Sequence, residues 1–204
     1  MALSARRGVL WGLLVAVLIG VFAAAVWQRR NRPEPPPVLG TVPEFTLINR
    51  DGRTIRRADL AGSPWIADFV FTRCPASCPM MTSRLARLIE DLPADSGLRF
   101  VSISVDPEHD TPEVLERYAA SYQAPARWLF LTGDGRQIYR LCREGFKLGV
   151  DANPQANGGE TAEPILHSTR FVLVDGEGRV RGYYDAFDAE SMKALTRDLE
   201  ALTP

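Results

Sequence analysis

Hydrophobicity along the chain changes character twice. From Gly8 to Trp27 the sequence GVLWGLLVAVLIGVFAAAVW holds twenty residues without a charge or a strongly polar group. As a helix this run would be about 30 Å long, the thickness of the hydrocarbon core of a bilayer. Trp11 and Trp27 fall near its ends, where indole rings favour the interface, and arginines flank it on both sides. A cleaved leader is the alternative, because Ala23 to Ala25 imitate a cleavage site. The apolar run continues past them to Val26 and Trp27, so a single uncleaved transmembrane helix, a membrane anchor over residues 1–30, is the expectation. Next comes NRPEPPPVLG, whose prolines Pro33, Pro35, Pro36 and Pro37 predict an extended spacer over residues 31–39.

From Gly40 onward short apolar runs alternate with amphipathic ones. EFTLINRDGRTI places Phe45, Leu47 and Ile55 around an Asp51-Gly52 turn and predicts a hairpin. WIADFVF (Trp65 to Phe71) is a buried-strand pattern, interrupted by Asp68, which needs a partner if it is buried. Met81, Leu85, Leu88, Ile89 and Leu92 recur at helical spacing and predict a helix starting near Pro79. LRFVSISV (98–105) and WLFLT (128–132) predict two further strands. Between them Thr111-Pro112-Glu113 opens a helix with Leu115, Tyr118, Ala119 and Tyr122 on one face. Asp134 to Glu144 reads as helical with Ile138, Leu141 and Cys142 inward. RFVLVD and RVRGYYD form a closing hairpin, and Met192, Leu195 and Leu199 mark a last helix. That order predicts an α/β fold, a thioredoxin-like sandwich over residues 40–204, with the end of the first core strand as the place for a site.

Composition narrows the function. Apolar content of 46% and charged content of 24% are those of an ordinary globular chain. Five of the 24 basic residues and one of the 25 acidic residues precede Gly40, leaving the folded part 19 against 24. No basic stripe is present, so nucleic acid is excluded as an expected partner.

The chemistry-bearing stretch is FTRCPASCPMM. Cys74 and Cys78 have three residues between them and sit where a strand feeds a helix. Free amides and the helix dipole there favour a thiolate, which disulfide exchange and metal binding both require. A structural staple is a third use, but so short a loop adds little unfolded-state restraint. Cys142, on an apolar face, reads as core packing rather than a resolving thiol. Of the two histidines, His109 lies in the charged loop SVDPEHDTPEV and reads as solvated. His167 lies in PILHSTRFVLVD, before a strand expected beside the cysteine strand. Thioredoxins place a proline at the comparable turn; here Pro164 comes three residues earlier, and His167 is expected to face the thiols, a hydrogen-bonded structural histidine being the alternative. Two thiolates and an imidazole form a soft set suited to copper(I), or to copper(II) with an added oxygen. Met80 and Met81 read as rim or core, not as ligands.

DFVFTRCPASCPMM, SVDPEHDTPEVLERYA, FLTG and LHSTRFVLVDGEGRV, in this order, resemble the Sco/SenC family of membrane-anchored, thioredoxin-like copper proteins. The resemblance spans roughly Gly40 to Leu202. It implies that Cys74, Cys78 and His167 hold copper and that the two cysteines also work as a redox pair. It implies a role in assembling the dinuclear copper centre of cytochrome c oxidase subunit II, by delivering copper or by reducing the target's cysteines. Other copper chaperones or thiol reductants are implied as further partners. The implied location is a single-pass inner membrane protein with its soluble domain in the periplasm, or in the intermembrane space if mitochondrial. Asp106 is implied to approach the metal from behind its ligands, a loop-capping carboxylate being the alternative. Leu166 and Ala76 stand where many members carry acidic residues, which lowers the negative charge at the site. The competing reading is a metal-independent thiol-disulfide oxidoreductase acting on extracytoplasmic protein disulfides.

Overall fold

The computed structural model describes residues 11, 14–23, 34–148 and 168–203. The chain divides into two compact units, Met1–Glu34 and Pro35–Pro204. In the first, residues 14–23 are helical and their apolar side chains are exposed. No helix among the described residues is long and apolar enough to cross a membrane. Much of the span expected over residues 1–30 lies outside them.

The second unit is built on eight strands among the described residues: β1 (Gly40–Thr41), β2 (Thr46–Asn49), β3 (Thr54–Arg56), β4 (Trp65–Val70), β5 (Arg99–Ser104), β6 (Trp128–Thr132), β7 (Arg170–Val174) and β8 (Arg179–Asp185). Their order across the sheet is β1-β8-β7-β4-β5-β6-β2-β3. β4, β5 and β6 run parallel, and the remaining pairs are antiparallel. The helices are α1 (Ser77–Asp91), α2 (Pro112–Ser121), α3 (Gly135–Arg140) and α4 (Ala189–Leu202). The predicted hairpin forms as β2 and β3, with Gly52 at a φ of 81° that side chains on L-residues resist. Thr111 caps α2 by accepting a hydrogen bond from the Val114 N–H, with Pro112 in the first turn.

Period-two alternation along the central strands sends side chains to two cores. Trp65, Ala67 and Phe69 of β4 join Val101, Ile103, Leu141, Cys142 and Phe146 on one face. Ile66 joins Phe100, Phe130, Met81, Leu85, Leu115 and Leu195 under α1, α2 and α4 on the other. β4 is therefore buried on both faces, as its near-continuous apolar pattern requires.

Two segments differ from their sequence reading. The run Asp134 to Glu144 is not one regular helix: α3 widens at Leu141 into a π-helical turn ending at Gly145. There a β-carbon on Gly145 would come within 2.6 Å of Pro43. Residues 36–39, read as part of the spacer, are hydrogen-bonded to the domain. Arg181 donates to the Pro36 carbonyl at 2.7 Å and the Leu39 N–H to the Val180 carbonyl at 2.8 Å. A proline lacks an N–H but keeps its carbonyl, so it can lie along a strand edge as an acceptor.

Candidate metal and thiol site

β4 ends at Val70 and the chain reaches α1 through Phe71 to Ala76. Val70, Phe71, Cys74 and Cys78 form a small buried cluster of their own at this end of the sheet. α1 starts at Ser77, two residues before the predicted Pro79. Pro79 fits inside the first turn, where a missing N–H costs no helical hydrogen bond. Cys78 consequently lies within that turn rather than at its cap. The cap residue, Ala76, has no side chain able to satisfy the free amides. The sulfur of Cys74 does this instead: it accepts from the Cys78 N–H at 3.4 Å and lies 3.5 Å from Ser77 Oγ.

All three cysteines are free thiols. Burial by itself pushes the Cys74 thiol up, but hydrogen bonds from Ser77 Oγ and from the Cys78 and Ala76 amides outweigh it and bring Cys74 down to about 7. Burial pushes Cys78 up to about 12, and the charges of Cys74 and Asp68 add to this. The pair thus has one thiol ready to ionise and one held protonated. Cys142 packs in the opposite core beside Leu141 and Phe146, and burial pushes it up to about 12. Packing is its role, as its place on an apolar face predicts. Met81 is buried under α1 and Met80 is 52% exposed at the rim.

Asp68 is fully buried in β4, and its Oδ1 accepts a hydrogen bond from Ser102 Oγ at 2.6 Å. The same Ser102 Oγ accepts from the Trp128 indole N–H at 2.9 Å. The second carboxylate oxygen of Asp68 has no partner among the described residues, and burial pushes its pKa up to about 7. The carboxyl that interrupts the strand pattern is therefore only half satisfied.

The loop after β5 closes the site from the side. Asp106 pairs with Arg73, whose side chain is 62% exposed, through a hydrogen bond of 2.6 Å. His109 is exposed at the surface, as its charged loop predicts, and its Nδ1 is also held, 3.0 Å from Asp110 Oδ1 and 3.4 Å from Thr72 Oγ. Asp106, His109 and Asp110 each offer a ligating atom within 4.8 Å of the others. Their oxygens are already engaged by Arg73, Thr72 and Ser104, which makes this cluster a loop clamp. Thr72, Arg73, Ser77, Ser104 and Asp110 were not singled out from sequence; Ser77 alone carried a local signal, its position at the head of the helix.

His167 and Pro164 lie outside the described residues. β7, which follows them, does pair with β4, with Ala67 opposite Val172 and Trp65 opposite Val174. The expectation that this strand neighbours the cysteine strand is met.

The sequence model of the family described as SCO1/SenC matches residues 35–203. The SCO1 protein homolog of Bacillus subtilis is 32% identical over 191 residues, covering 92% of this chain and 94% of its own. The solved structure of BsSco, a member of the Sco family of cytochrome c oxidase assembly proteins in which a disulfide switch was identified, is 30% identical. It superposes with a TM-score of 0.68 over 84% of this chain and 98% of its own. Yeast Sco1 with copper bound is 26% identical, with a TM-score of 0.60 over 78% of this chain and 88% of its own. With a parallel core strand feeding a helix at a pair of unlike thiols, and a family match across the whole folded unit, the chain belongs to the SCO1/SenC family.

Proposed function

We propose that this protein is a copper-binding assembly factor for the dinuclear copper site of cytochrome c oxidase subunit II, held to the inner membrane by its apolar N-terminal segment with the folded unit in the periplasm, or in the intermembrane space of a mitochondrion. The observation that carries the reading is the pair of free, buried, unlike thiols at the head of α1. A thiol brought down to about 7 supplies a soft thiolate at neutral pH, and its neighbour loses its proton when a soft cation takes its place. His167 is the proposed third ligand. β7 begins at Arg170, three residues after His167, and runs antiparallel to β4, so the chain enters β7 at the sheet end where β4 leaves for the cysteines. Three residues reach at most about 11 Å. Two sulfurs and an imidazole hold copper(I), and an added oxygen would accommodate copper(II). Copper is the cargo here, delivered to subunit II; in the other version of the role the cysteine pair reduces the target's cysteines so that the target can accept copper, and is itself left as a disulfide.

The test is metal content and spectroscopy of the purified, reduced protein beside His167→Ala. The variant is expected to fold and to bind copper more weakly by more than the roughly 10–100-fold that loss of an outer partner costs. Unchanged affinity removes His167 from the site.

A second reading is favoured by the same asymmetry. A low thiol beside a protonated, buried one is also the arrangement of an attacking thiol and its resolving partner. A reductase of this kind would act on a peptide carrying the oxidase cysteines at equal rates with and without a copper chelator. A chelator-sensitive rate favours the first reading.

A further inference from the structure

We infer that Asp110 is the positioning residue of the cysteine loop: through Thr72 it sets where the Cys74 sulfur lies at the head of α1. The inference rests on Cys74 and Cys78 being the working pair, and does not depend on which cargo or target they serve.

Asp110 is fully buried, yet nothing in the α2 cap or in the sheet ladder uses its side chain. All of its oxygen capacity goes to groups around the cysteine loop. Oδ2 accepts from the Thr72 backbone N–H at 3.1 Å, and Oδ1 from the Thr72 hydroxyl at 2.5 Å. Oδ2 also accepts from Ser104 Oγ at 2.6 Å, and Oδ1 lies 3.0 Å from His109 Nδ1. Ser104 is the last residue of β5, which pairs with Val70 at the end of β4. Asp110 thus ties the first loop residue after Phe71 to the frame of the sheet from 38 residues away.

Magnitudes separate this tie from its neighbour. The Arg73–Asp106 pair also joins the two loops, but the arginine is mostly in water, where such pairs contribute little. The Thr72–Asp110 bonds involve an acceptor removed from water, where a lost partner is costly. Thr72 stands two residues before Cys74, so its displacement passes directly into the sulfur's position. The sulfur's contacts, at 3.4 Å to the Cys78 N–H and 3.5 Å to Ser77 Oγ, are the ones a displaced loop lengthens or misaligns, and hydrogen bonds weaken as they do so.

The experiment uses the full chain, reduced and free of copper, so that failure of the copper reading leaves it decided. Asp110→Asn, Thr72→Val and Thr72→Ser are compared by the iodoacetamide alkylation rate of Cys74 at pH 7, by the equilibrium of the cysteine pair with glutathione, and by thermal melting. Asp110→Asn replaces one acceptor by a donor that faces donors. Thr72→Val removes the hydroxyl's contacts with Asp110 and His109 but keeps the backbone N–H bond, and Thr72→Ser restores the hydroxyl. The expected result is a change of about tenfold in alkylation rate for the first two, as a misplaced reacting atom gives, with Thr72→Ser at the wild-type rate. A folded Asp110→Asn with rate and glutathione equilibrium within twofold of wild type overturns the inference. If Asp110→Asn does not fold, Thr72→Val decides on the same criterion.

Discussion

Cys74 and Cys142 are both buried, at 7% and 2% exposure, and neither is in a disulfide. By exposed surface alone they look alike. Cys142 faces aliphatic and aromatic neighbours, and its thiol is pushed up to about 12. Cys74 faces the open amides of a helix start and a serine hydroxyl, and its thiol comes down to about 7. The comparison teaches that donors aimed at a buried thiol can outweigh the water it has lost, and that without them burial wins. Asp68 obeys the same rule from the acidic side. The donors that reach it are too weak, so burial wins and the carboxyl is pushed up to about 7.

The widest gap predicted from this comparison is kinetic. At pH 7.5 Cys74 is largely thiolate, whereas the thiolate fraction of Cys142 is lower by roughly four to five orders of magnitude. Peptide mapping after brief iodoacetamide treatment of the reduced native protein should find Cys74 alkylated and Cys142 untouched until denaturant is added. Equal labelling of the two would break the comparison.

A narrower test removes one donor. Ser77→Ala deletes the hydroxyl beside the sulfur and leaves the amides in place. The pH midpoint of Cys74 alkylation should rise by about one unit, slowing the reaction about tenfold at pH 6. An unmoved midpoint would assign the effect to the helix amides alone.

The smallest expected effect concerns Asp68. Its folded pKa is raised, so the folded protein holds a proton that the unfolded chain releases near pH 4. The stability carried by the neutral carboxyl is complete below about pH 4 and is lost as pH rises through about 7. Asp68→Asn cannot titrate. Its melting temperature, relative to wild type, should therefore improve by a few degrees between pH 5 and pH 8. A difference that does not vary with pH would mean that Asp68 is charged throughout and better solvated than its burial implies.

Much of the fold was legible because periodicity reports burial directly. The β2–β3 hairpin, the three parallel strands, the Thr111 cap and the inward placement of Leu85, Leu115, Cys142 and Leu195 all follow from apolar spacing and turn chemistry. The start of α1 was read two residues late because Pro79 resembles a first helical residue, although any position in the first turn accepts it. The loop clamp was invisible for another reason. Asp110 and Thr72 are 38 residues apart, and an aspartate in a charged loop looks the same in sequence whether it faces water or a buried hydroxyl. His109 was read as solvated on the same grounds, and it is anchored on Asp110.

Residue order by itself determined the alternation of strand and helix, the place of Cys74 and Cys78 at a strand-to-helix junction, and the likeness to SCO1/SenC proteins across the folded unit. These depend on local spacing, which the chain carries wherever it goes. Only the tertiary structure decided that the two sulfurs are chemically unlike, that Asp68 is left half satisfied, and that Asp110 rather than Asp106 grips the cysteine loop from a buried position. Ionisation and hydrogen-bond strength depend on which distant groups share a volume from which water is excluded, and that volume exists only once the sheet has brought β4 and β5 together.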